Sequence, residues 1–533
     1  IGGVMPEENI AQEEVWKPSK NPWIISIPLM ISMFMFVLDE TISNVALPYM
    51  AGTFSVSHNE STWILTFYLI ASGLIIPCVD FLCKKFGRNN YFLFSVALFT
   101  IASAMCGCSR SLEEIIVSRF LQGIGGGAIL PLSQAMMLEC FPKEERGKAM
   151  SLFGFAVVMG PILGPALGGW ITENWSWPYI YLINLPFGVL AFIAAKTLLE
   201  DSPYGRKVDG VKLDNWGLFF LVGWIVALQV VLDKGNDADW FGSTWVCWLS
   251  AVSVISCIAF FIVQLRDKKN ALIDLDVMKD RNFFFGTVIQ IVLMAVLMAS
   301  SAILPSMLQS LMGYTSFLSG ISMVPRGAGC MTGIICSALL NNKVSERAQV
   351  MMGLFLIGCG GLLFGQLNLQ VALIDIAFPN YLFGVGLTFS MVPIINLSMI
   401  TLKNSQLTNA TGVQNMLKNI GGAIGTSLVT TLISRFSQKH QMMMVGHLRD
   451  TNQVFVERVS AYAQSFIPTT VDPNVATNMA HGLLYQQLQL QATLWAYIDT
   501  FRIFAAACFM IIPLLLLMKS IRSLAAEGLI VDE

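Results

Sequence analysis

The chain has 533 residues, of which 55% are hydrophobic and only 12% are charged, and its formal net charge is −2. Soluble domains carry about 25% charged residues, so this composition excludes a soluble globular protein and predicts a multispanning membrane protein. The eleven cysteines are scattered, mostly within apolar stretches, which favours small packing residues over a disulfide framework.

Apolar stretches of about 20 residues are long enough to cross a bilayer, and the sequence contains fourteen of them. The predicted spans are 22–47, 60–82, 90–109, 112–138, 147–170, 176–195, 213–232, 242–265, 283–311, 316–340, 349–367, 371–402, 407–434 and 494–518. Most Lys and Arg residues lie in the tails and connections of one side, which predicts that this side is cytoplasmic. Both termini are then cytoplasmic and the number of spans is even.

The first span contains two adjacent carboxylates, Asp39 and Glu40. A charge at the centre of a bilayer costs at least about 2.5–3.5 kcal/mol, so a chain that keeps one there usually pairs it or uses it. Arg119, in the fourth span, also needs a partner, and either acid can supply it if these two spans are neighbours. Protonation of the paired acid would then release the arginine.

Three further patterns place polar or helix-bending residues in or beside spans. The fifth span contains GPILGPALGG, which predicts a bent helix that a neighbour can approach closely. The turn after the second span reads DFLCKKFGR, in which Asp80 and Lys84 are spaced to pair on one helix face. In the second half of the chain, Arg326 and Lys418 lie inside spans, and Lys418 belongs to the stretch NMLKNIGGAIG.

Together these motifs resemble the major facilitator superfamily, and within it the 14-span drug:proton antiporter branch of the EmrB type. LDETISNVALP is similar to the first-helix motif of that branch, RFLQGIGGG to the fourth-helix motif, and GPILGPALGG to the fifth-helix antiporter motif. WPYIYLINLPFG is similar to the stretch that opens span six. The resemblance covers nearly the whole chain.

The resemblance implies an all-α membrane protein made of two six-helix bundles plus two inserted helices. It divides the chain into a cytoplasmic tail at 1–21, a first bundle at 22–199, the inserted helices and linkers at 200–281, a second bundle at 282–518 and a cytoplasmic tail at 519–533. Residues 435–493, in the second bundle, are predicted to form a long periplasmic loop with helical segments near 440–466 and 475–493. This loop is either simply solvated or a docking surface.

The implied function is secondary active export of hydrophobic or amphipathic drugs in exchange for protons, by alternating access, from the bacterial inner membrane. The energy source is the proton gradient; no cofactor, enzyme activity, metal site or nucleic acid is expected. The expected partners are a periplasmic membrane-fusion adaptor of the EmrA type and an outer-membrane channel of the TolC type. The alternative is an exporter of the same fold for a narrower substrate, such as a fatty acid, bile acid or siderophore.

The candidate residues fall into four groups. Proton coupling is assigned to Asp39, Glu40 and Arg119; the substrate cavity to Asn44, Gln122, Arg326, Asn415 and Lys418; the antiporter motif to Gly160, Pro161, Gly164, Pro165, Gly168 and Gly169; and the cytoplasmic gate to Asp80, Lys84, Gly87 and Arg88. Glu40 is either a second proton site or the partner of Arg119, Arg326 or Lys418. The gate departs from the family pattern, because Asp80 occupies the usual Gly position and Lys84 the usual Asp position.

Methionines 294, 298, 307, 312, 323 and 331 are further candidates for the cavity, since flexible thioethers suit varied hydrophobic ligands.

Overall fold

The computed structural model describes residues 18–142, 145–208, 214–266, 271–340, 344–403, 406–449, 451–467 and 472–519. Every regular element in these ranges is a helix, and none is a strand. The all-α prediction is therefore confirmed for the part of the chain that the structure describes. Most of the two predicted cytoplasmic tails lies outside the described residues.

Fourteen long helices dominate the described chain. They are α1 (Pro22–Phe54), α2 (Trp63–Phe86), α3 (Arg88–Cys108), α4 (Leu112–Cys140), α5 (Arg146–Asn174), α6 (Tyr179–Leu198), α7 (Asn215–Lys234), α8 (Thr244–Arg266), α9 (Arg281–Met312), α10 (Val324–Leu340), α11 (Glu346–Phe364), α12 (Leu373–Met399), α13 (Leu407–Val445) and α14 (Pro473–Leu517). Shorter helical segments are His58–Ser61, Pro203–Gly205, Trp240–Gly242, Leu275–Lys279, Ser316–Ile321 and Gln453–Phe466. Within the described ranges, eleven helices are long and apolar enough by themselves to cross a membrane; α5, α10 and α13 pack among them.

Helix ends follow local chemistry. The side chain of Asn21 accepts a hydrogen bond from the Trp23 amide, and Pro22 occupies the first helical position, where no amide hydrogen is needed. Asp280 caps α9 in the same way by accepting from the Phe283 amide. At the other end of α9, Gly313 adopts a left-handed conformation with φ of 68°, which stops the helix without strain.

The helices form two groups with matching contacts. In the first, α1 packs on α5 and α6, α2 and α3 pack on α4, and α3 packs on α6. In the second, α9 packs on α13 and α14, α10 and α11 pack on α12, and α11 packs on α14. The helices α1–α6 and α9–α14 are called the first half and the second half below. The paired helices α7 and α8 stand outside both, with α7 against α2 and α13.

The end of the bundle at which α1 begins and α14 ends is called the terminus-bearing end, and the opposite end the loop end. Near the terminus-bearing end the halves are in direct contact, and every residue in 131–140, 386–399 and 407–416 is buried. Asn415 on α13 donates a hydrogen bond to Gln134 on α4 (2.8 Å). The two halves are therefore closed against each other at this end.

The predicted long loop at 435–493 is mostly helix. α13 continues to Val445 and α14 begins at Pro473, so both helices extend past the predicted span ends at 434 and 494. Between them, the helix Gln453–Phe466 packs on α14 through a small apolar cluster centred on Phe455, Val459 and Leu484. These segments form a helical extension of the second half. Of the two predicted loop helices, the one near 475–493 is confirmed, while the one at 440–466 is interrupted between α13 and Gln453.

Candidate functional site

Asp39, on α1, is fully buried and lies at the centre of a polar cluster. One carboxylate oxygen, Oδ2, accepts a hydrogen bond from Nη1 of Arg119 at 2.6 Å. The other, Oδ1, accepts from Nε2 of Gln122 at 2.9 Å and from Nδ2 of Asn184 at 2.8 Å. The predicted neighbourhood of the first and fourth spans is confirmed, and Asp39 rather than Glu40 is the partner of Arg119.

Arg119 is held on several sides. It also donates to Oε1 of Gln122 at 2.7 Å, and its guanidinium lies 4.0 Å from the ring centroid of Tyr68 and 5.5 Å from that of Tyr181. Its Nε donates to the carbonyl oxygen of Ile64 at 3.4 Å, and Nη2 has no hydrogen-bond partner in the described chain. A buried ion pair that loses one charge leaves the other uncompensated, which costs several kcal/mol, so any change in the charge of Asp39 acts directly on Arg119.

This cluster connects four helices of the first half. Asp39 is on α1, Arg119 and Gln122 are on α4, and Asn184 is on α6; Ser103 on α3 accepts from both Gln122 and Asn184. Asn184 and Ser103 were not among the sequence candidates. The signal for Asn184 was available, because LINLPFG contains a lone amide in an apolar run, whereas Ser103 is one of many serines in spans.

Glu40 lies beside this cluster but outside it. It is half-buried, and no ion pair or hydrogen bond joins it to another described residue. Asn44, one turn further along α1, is exposed, and so is Pro48. Because α1 packs on α4, α5 and α6, this open face points away from the first half. The sequence alternatives that paired Glu40 with Arg119, Arg326 or Lys418 are wrong for this conformation.

The glycines of the α5 motif lie directly against α1. A Cβ at Gly160 would meet Val37, one at Gly164 would meet Oγ1 of Thr41, and one at Gly168 would meet Ile42 at 2.9 Å. The hydroxyl of Thr41 donates to the carbonyl oxygen of Gly160 at 3.0 Å. The predicted close approach of a neighbouring helix is therefore present, and that helix is the one that carries Asp39.

Pro165 and Gly169 of the same motif are buried. Pro161 lies within α5, but its side chain is outside the described part of the structure. The residues of α5 also reach the second half: a Cβ at Gly154 would meet Val392 on α12 at 2.9 Å, and Ala166 lies against Gly320 of the helix Ser316–Ile321. α5 therefore contacts both the acid-bearing helix and the opposite half.

Three of the four residues predicted for the cytoplasmic gate take part in two separate ion pairs at the terminus-bearing end. Asp80 and Lys84 pair at 2.5 Å, as predicted from their spacing. Gly87 has φ of 84°, a conformation that favours glycine. Arg88 is buried and pairs with Glu139 at the end of α4, through Nη2 and Oε2 at 2.6 Å and through Nη1 and Oε1. Glu139 was missed from sequence, since nothing marked that acid as a neighbour of the turn after α2.

In the second half, Arg326 on α10 is fully buried but has only neutral partners. It donates to Oδ1 of Asn380 (2.9 Å) and to the hydroxyls of Ser300 and Ser301 (3.2 Å each). Its guanidinium lies 4.8 Å from the ring centroid of Phe383, and its Nη2 has no partner in the described chain. Lys418, on α13, is 5% exposed.

Two residues predicted for the substrate cavity are buried in this conformation. Gln122 is fully buried and its amide is engaged by Asp39, Arg119 and Ser103, so it belongs to the Asp39 cluster and not to an accessible surface. Asn415 is 2% exposed and bridges the two halves. Among the candidate methionines, Met307 and Met323 are fully buried packing residues. Within the described ranges, no group of His, Cys, Asp and Glu side chains could hold a metal ion.

The structure is a bundle of apolar helices with a buried Asp–Arg pair, as expected for a membrane transporter. Comparison with known proteins identifies its family. A sequence model of the Major Facilitator Superfamily matches residues 29–426, so the chain belongs to this family of membrane transporters. With many apolar helices and bacterial relatives, it is a multi-pass protein of the bacterial inner membrane.

Individual relatives carry more specific names than the family as a whole. The chain is 34% identical over 442 residues to the probable multidrug resistance protein EmrY of Escherichia coli strain K12, covering 81% of this chain and 84% of that protein. It is 31% identical over 445 residues to the multidrug export protein EmrB of the same strain (80% and 83% covered). It is 31% identical over 449 residues to the fatty acid resistance protein FarB of Neisseria gonorrhoeae (83% and 87% covered). The resemblance to EmrB-type permeases is confirmed.

Among solved structures, the human organic anion transporter MFSD10 (TETRAN) superposes with a TM-score of 0.57. The match covers 92% of this chain and 98% of that one, with 13% sequence identity. At this identity the likeness shows the fold alone.

Proposed function

We propose that the chain exports hydrophobic and amphipathic compounds in exchange for protons, as a secondary transporter that needs no cofactor besides the proton gradient. The observation that carries the proposal is the buried Asp39–Arg119 pair inside a membrane fold. Intramembrane ionisable residues usually mark ion or proton pathways, and the multidrug relatives favour drugs as the exported compounds.

The coupling step follows from the contacts of Asp39. When its carboxylate takes a proton, the attraction to Arg119 falls and the guanidinium is left without a counter-charge. The same carboxylate joins α1 to α4 and α6, while Thr41 and the α5 glycines hold α1 to α5. Protonation therefore loosens one set of contacts of α1 and leaves the other in place, which favours movement of α1 and α5 relative to the second half.

The direction of the cycle is inferred from the difference between the two ends. The halves are in extensive contact at the terminus-bearing end. Toward the loop end, α5 touches the second half at Gly320, and Glu40, Asn44 and Pro48 of α1 become more exposed. We assign this conformation to the state in which the cavity is accessible from outside. Protons reach Asp39 from that side, and Glu40 is the alternative proton-binding residue. Drug and proton bind in competition, which is the linkage that an antiporter needs.

The topology belongs to the same proposal. The fourteen long helices all cross the membrane, with both termini in the cytoplasm, as the distribution of Lys and Arg indicates. The two halves are then the bundles at 22–199 and 282–518, and 200–281 supplies the two inserted helices. In this arrangement Asp80, Lys84, Gly87 and Arg88 form the cytoplasmic gate.

The helical extension at the loop end is the proposed docking site for a periplasmic adaptor of the EmrA type, which would lead to an outer-membrane channel of the TolC type. It projects from α13 and α14 and exposes large apolar side chains, among them Met442 (80% exposed) and Met443 (60%). Exposed apolar patches on an aqueous surface often mark sites of protein–protein contact.

A narrower substrate range is the second candidate. The relative FarB is named for fatty acid resistance, which favours a fatty acid over a bile acid or siderophore within this alternative. The fold and the Asp39 cluster serve either substrate range equally well.

The test is efflux of ethidium driven by a pH gradient in reconstituted vesicles, comparing the wild type with Asp39→Asn and Glu40→Gln. We expect gradient-dependent efflux in the wild type, its loss in Asp39→Asn and its retention, in full or in part, in Glu40→Gln. Full coupled transport by Asp39→Asn would mean that the transported proton binds at a residue other than Asp39. A folded wild type that moves no ethidium but moves laurate would support the narrower substrate range.

A further inference from the structure

Glu346, the first residue of α11, is a buried acid at the terminus-bearing end that the proposed cycle does not use. It is 8% exposed. One carboxyl oxygen, Oε1, accepts from Nδ2 of Asn396 on α12 at 2.5 Å, while Oε2 is shielded from solvent and has no hydrogen-bond partner in the described chain. No cation of the described residues pairs with it. Glu346 is therefore a buried carboxyl group held by one neutral amide.

Glu346 lines a small cavity between the two halves. The first half contributes residues of α5, and the second half contributes residues of α10 and α12; they are Gly147, Lys148, Ser151, Ser337, Val392, Pro393 and Asn396. The helices around the cavity are close together, since a Cβ at Gly154 on α5 would lie 2.9 Å from Val392. This contact surface of the halves is called the seam below. Separation of the halves at this end opens the seam and brings water to Glu346.

The surroundings of Glu346 favour its neutral form while the seam is closed. Burial without a cation disfavours the ionised form of a carboxyl group by up to about a thousandfold. The first turn of α11 favours a negative charge, but a helix N-terminus contributes only about two- to fivefold. Burial therefore outweighs the helix terminus. The neutral acid also tolerates an Oε2 atom without a donor better than the carboxylate does.

The charged groups near the cavity do not neutralise a carboxylate. Lys148 lines the cavity from α5 but is exposed and forms no ion pair with a described residue. Arg146, also on α5, donates to the carbonyl oxygen of Phe141 at 3.4 Å. Arg347 follows Glu346 on α11 and forms no ion pair with it. The lining residues of α10 and α12 are neutral.

α9 brings one acid and one base to the same end of the bundle. Asp280 accepts from the Phe283 amide and from the Thr401 hydroxyl, both at 2.8 Å, and Arg281 is exposed. The ligand that fits the cavity is a proton. A metal cation would meet the donor Nδ2 of Asn396 and the positive charge of Lys148 instead of further oxygen ligands.

We propose that Glu346 is a second proton-binding site, filled from the cytoplasm as the seam closes and emptied to the cytoplasm as it opens. On opening, water reaches the carboxyl group, its O–H bond breaks and the proton passes to water. The closed seam binds more protons than the open one, so a lower cytoplasmic pH favours closure and a higher pH favours opening. The inference rests on the proposed alternating access. Because its proton exchanges with one side only, Glu346 regulates the cycle and Asp39 remains the coupling residue.

The first experiment records the carbonyl stretching band of protonated carboxylic acids by infrared spectroscopy of the full chain, in a detergent without carbonyl groups. Exposed carboxyl groups are ionised above about pH 6, so the band that persists there reports buried acids. The test variant is Glu346→Gln, which keeps the oxygen that accepts from Asn396. Glu457→Gln, at an exposed glutamate, is the matched control, and Lys148→Met removes the nearest ammonium group of the cavity.

We expect Glu346→Gln to lose the absorbance of one carboxyl group from this band, while Glu457→Gln and Lys148→Met match the wild type. An unchanged band in Glu346→Gln would overturn the proposal. A band that grows in Lys148→Met would also overturn it, because Glu346 would then be ionised and paired with that lysine. Failure of Glu346→Gln to fold would contradict it too, since a neutral amide should replace a neutral acid without unfolding the protein.

The second experiment tests the link to closure by hydrogen–deuterium exchange of the seam segments 146–154 and 386–399. Wild type and Glu346→Gln are compared at the same pH, so that the intrinsic pH dependence of exchange cancels. At mildly alkaline pH we expect severalfold slower exchange in Glu346→Gln, and at acidic pH equal exchange. Equal exchange at both pH values would overturn the link. Neither experiment involves transport, so a wild type without ethidium efflux would contradict the proposed function alone.

Discussion

The two halves of the bundle use the same helix contacts but treat buried positive charge in opposite ways. In the first half, Arg88 pairs with Glu139 and Arg119 pairs with Asp39. In the second half, Arg326 meets only neutral groups and Lys418 meets none within the described chain. Because the same pairs of helices are in contact in both halves, the arrangement of helices alone does not require these charges. The first half holds buried pairs of opposite charge, and the second half holds buried positive charge for which no acid partner is described.

The largest expected effect on stability comes from breaking a buried pair in the first half. Arg88→Met leaves Glu139 buried without its partner, which should cost about 3–5 kcal/mol; the melting temperature in detergent measures this. The double variant Arg88→Met with Glu139→Leu should recover much of the loss, because no unpaired charge remains. The control is Lys279→Met, which removes an exposed pair with Asp276 and should cost less than about 1 kcal/mol.

If Arg88→Met melts at the same temperature as Lys279→Met, the buried pair of the first half contributes no more than a surface pair. The two halves would then not differ in how much their buried charges contribute to stability.

A smaller effect is expected from the contact between α5 and α1. In Gly164→Ala the new Cβ meets Oγ1 of Thr41, and overpacking of this kind costs about 1–3 kcal/mol. The corresponding contact of the second half is α13 on α9, where a Cβ at Gly425 would lie 2.5 Å from the carbonyl oxygen of Ala295, so Gly425→Ala should lose a similar amount. Gly52→Ala, with nothing within 4 Å of its Cβ, is the matched control.

Melting temperatures of these three variants sharpen the comparison. Equal losses at Gly164 and Gly425 support matched packing in the two halves. A loss at Gly52 as large as either would show that helix substitution itself, and not the contact, determines the result.

The smallest expected effect comes from removing the unpaired charge of the second half. Lys418→Met deletes a buried ammonium group that has no described partner, so stability should be unchanged within about 0.5 kcal/mol or should increase. Any change in the free energy of unfolding should therefore be an increase, whereas Arg88→Met should decrease it. A loss of several kcal/mol would mean that Lys418 has a permanent partner, and the difference between the halves would disappear.

Much of the bundle could be predicted from the sequence because each span is a long apolar run and the loops are short. The Asp39–Arg119 pair could also be predicted from the sequence, since few intramembrane charges exist and each needs a partner. The remaining members of the cluster were not, because apolar periodicity does not show which faces of α3, α4 and α6 meet. The contact of Gln122 with Asp39 was therefore not predicted, and Ser103 and Asn184 were missed.

The long loop shows a different limit. Residues 435–445 and 473–493 are polar enough to be excluded from a membrane span, yet polar sequences also form helices when a neighbour covers their few apolar residues. Here the helix Gln453–Phe466 covers Leu484 and Ala480 of α14. Hydropathy located the end of the apolar run and not the end of the helix.

The central claim is that drug and proton compete through Asp39, and proton release on drug binding tests it most directly. Purified wild type in weakly buffered solution, at a series of starting pH values, is mixed with ethidium while the pH is recorded, and Asp39→Asn is treated in the same way. We predict that the wild type releases protons in proportion to the ethidium bound and that Asp39→Asn binds ethidium without release. Equal proton release by both proteins, or ethidium binding by the wild type with no release, would contradict the account.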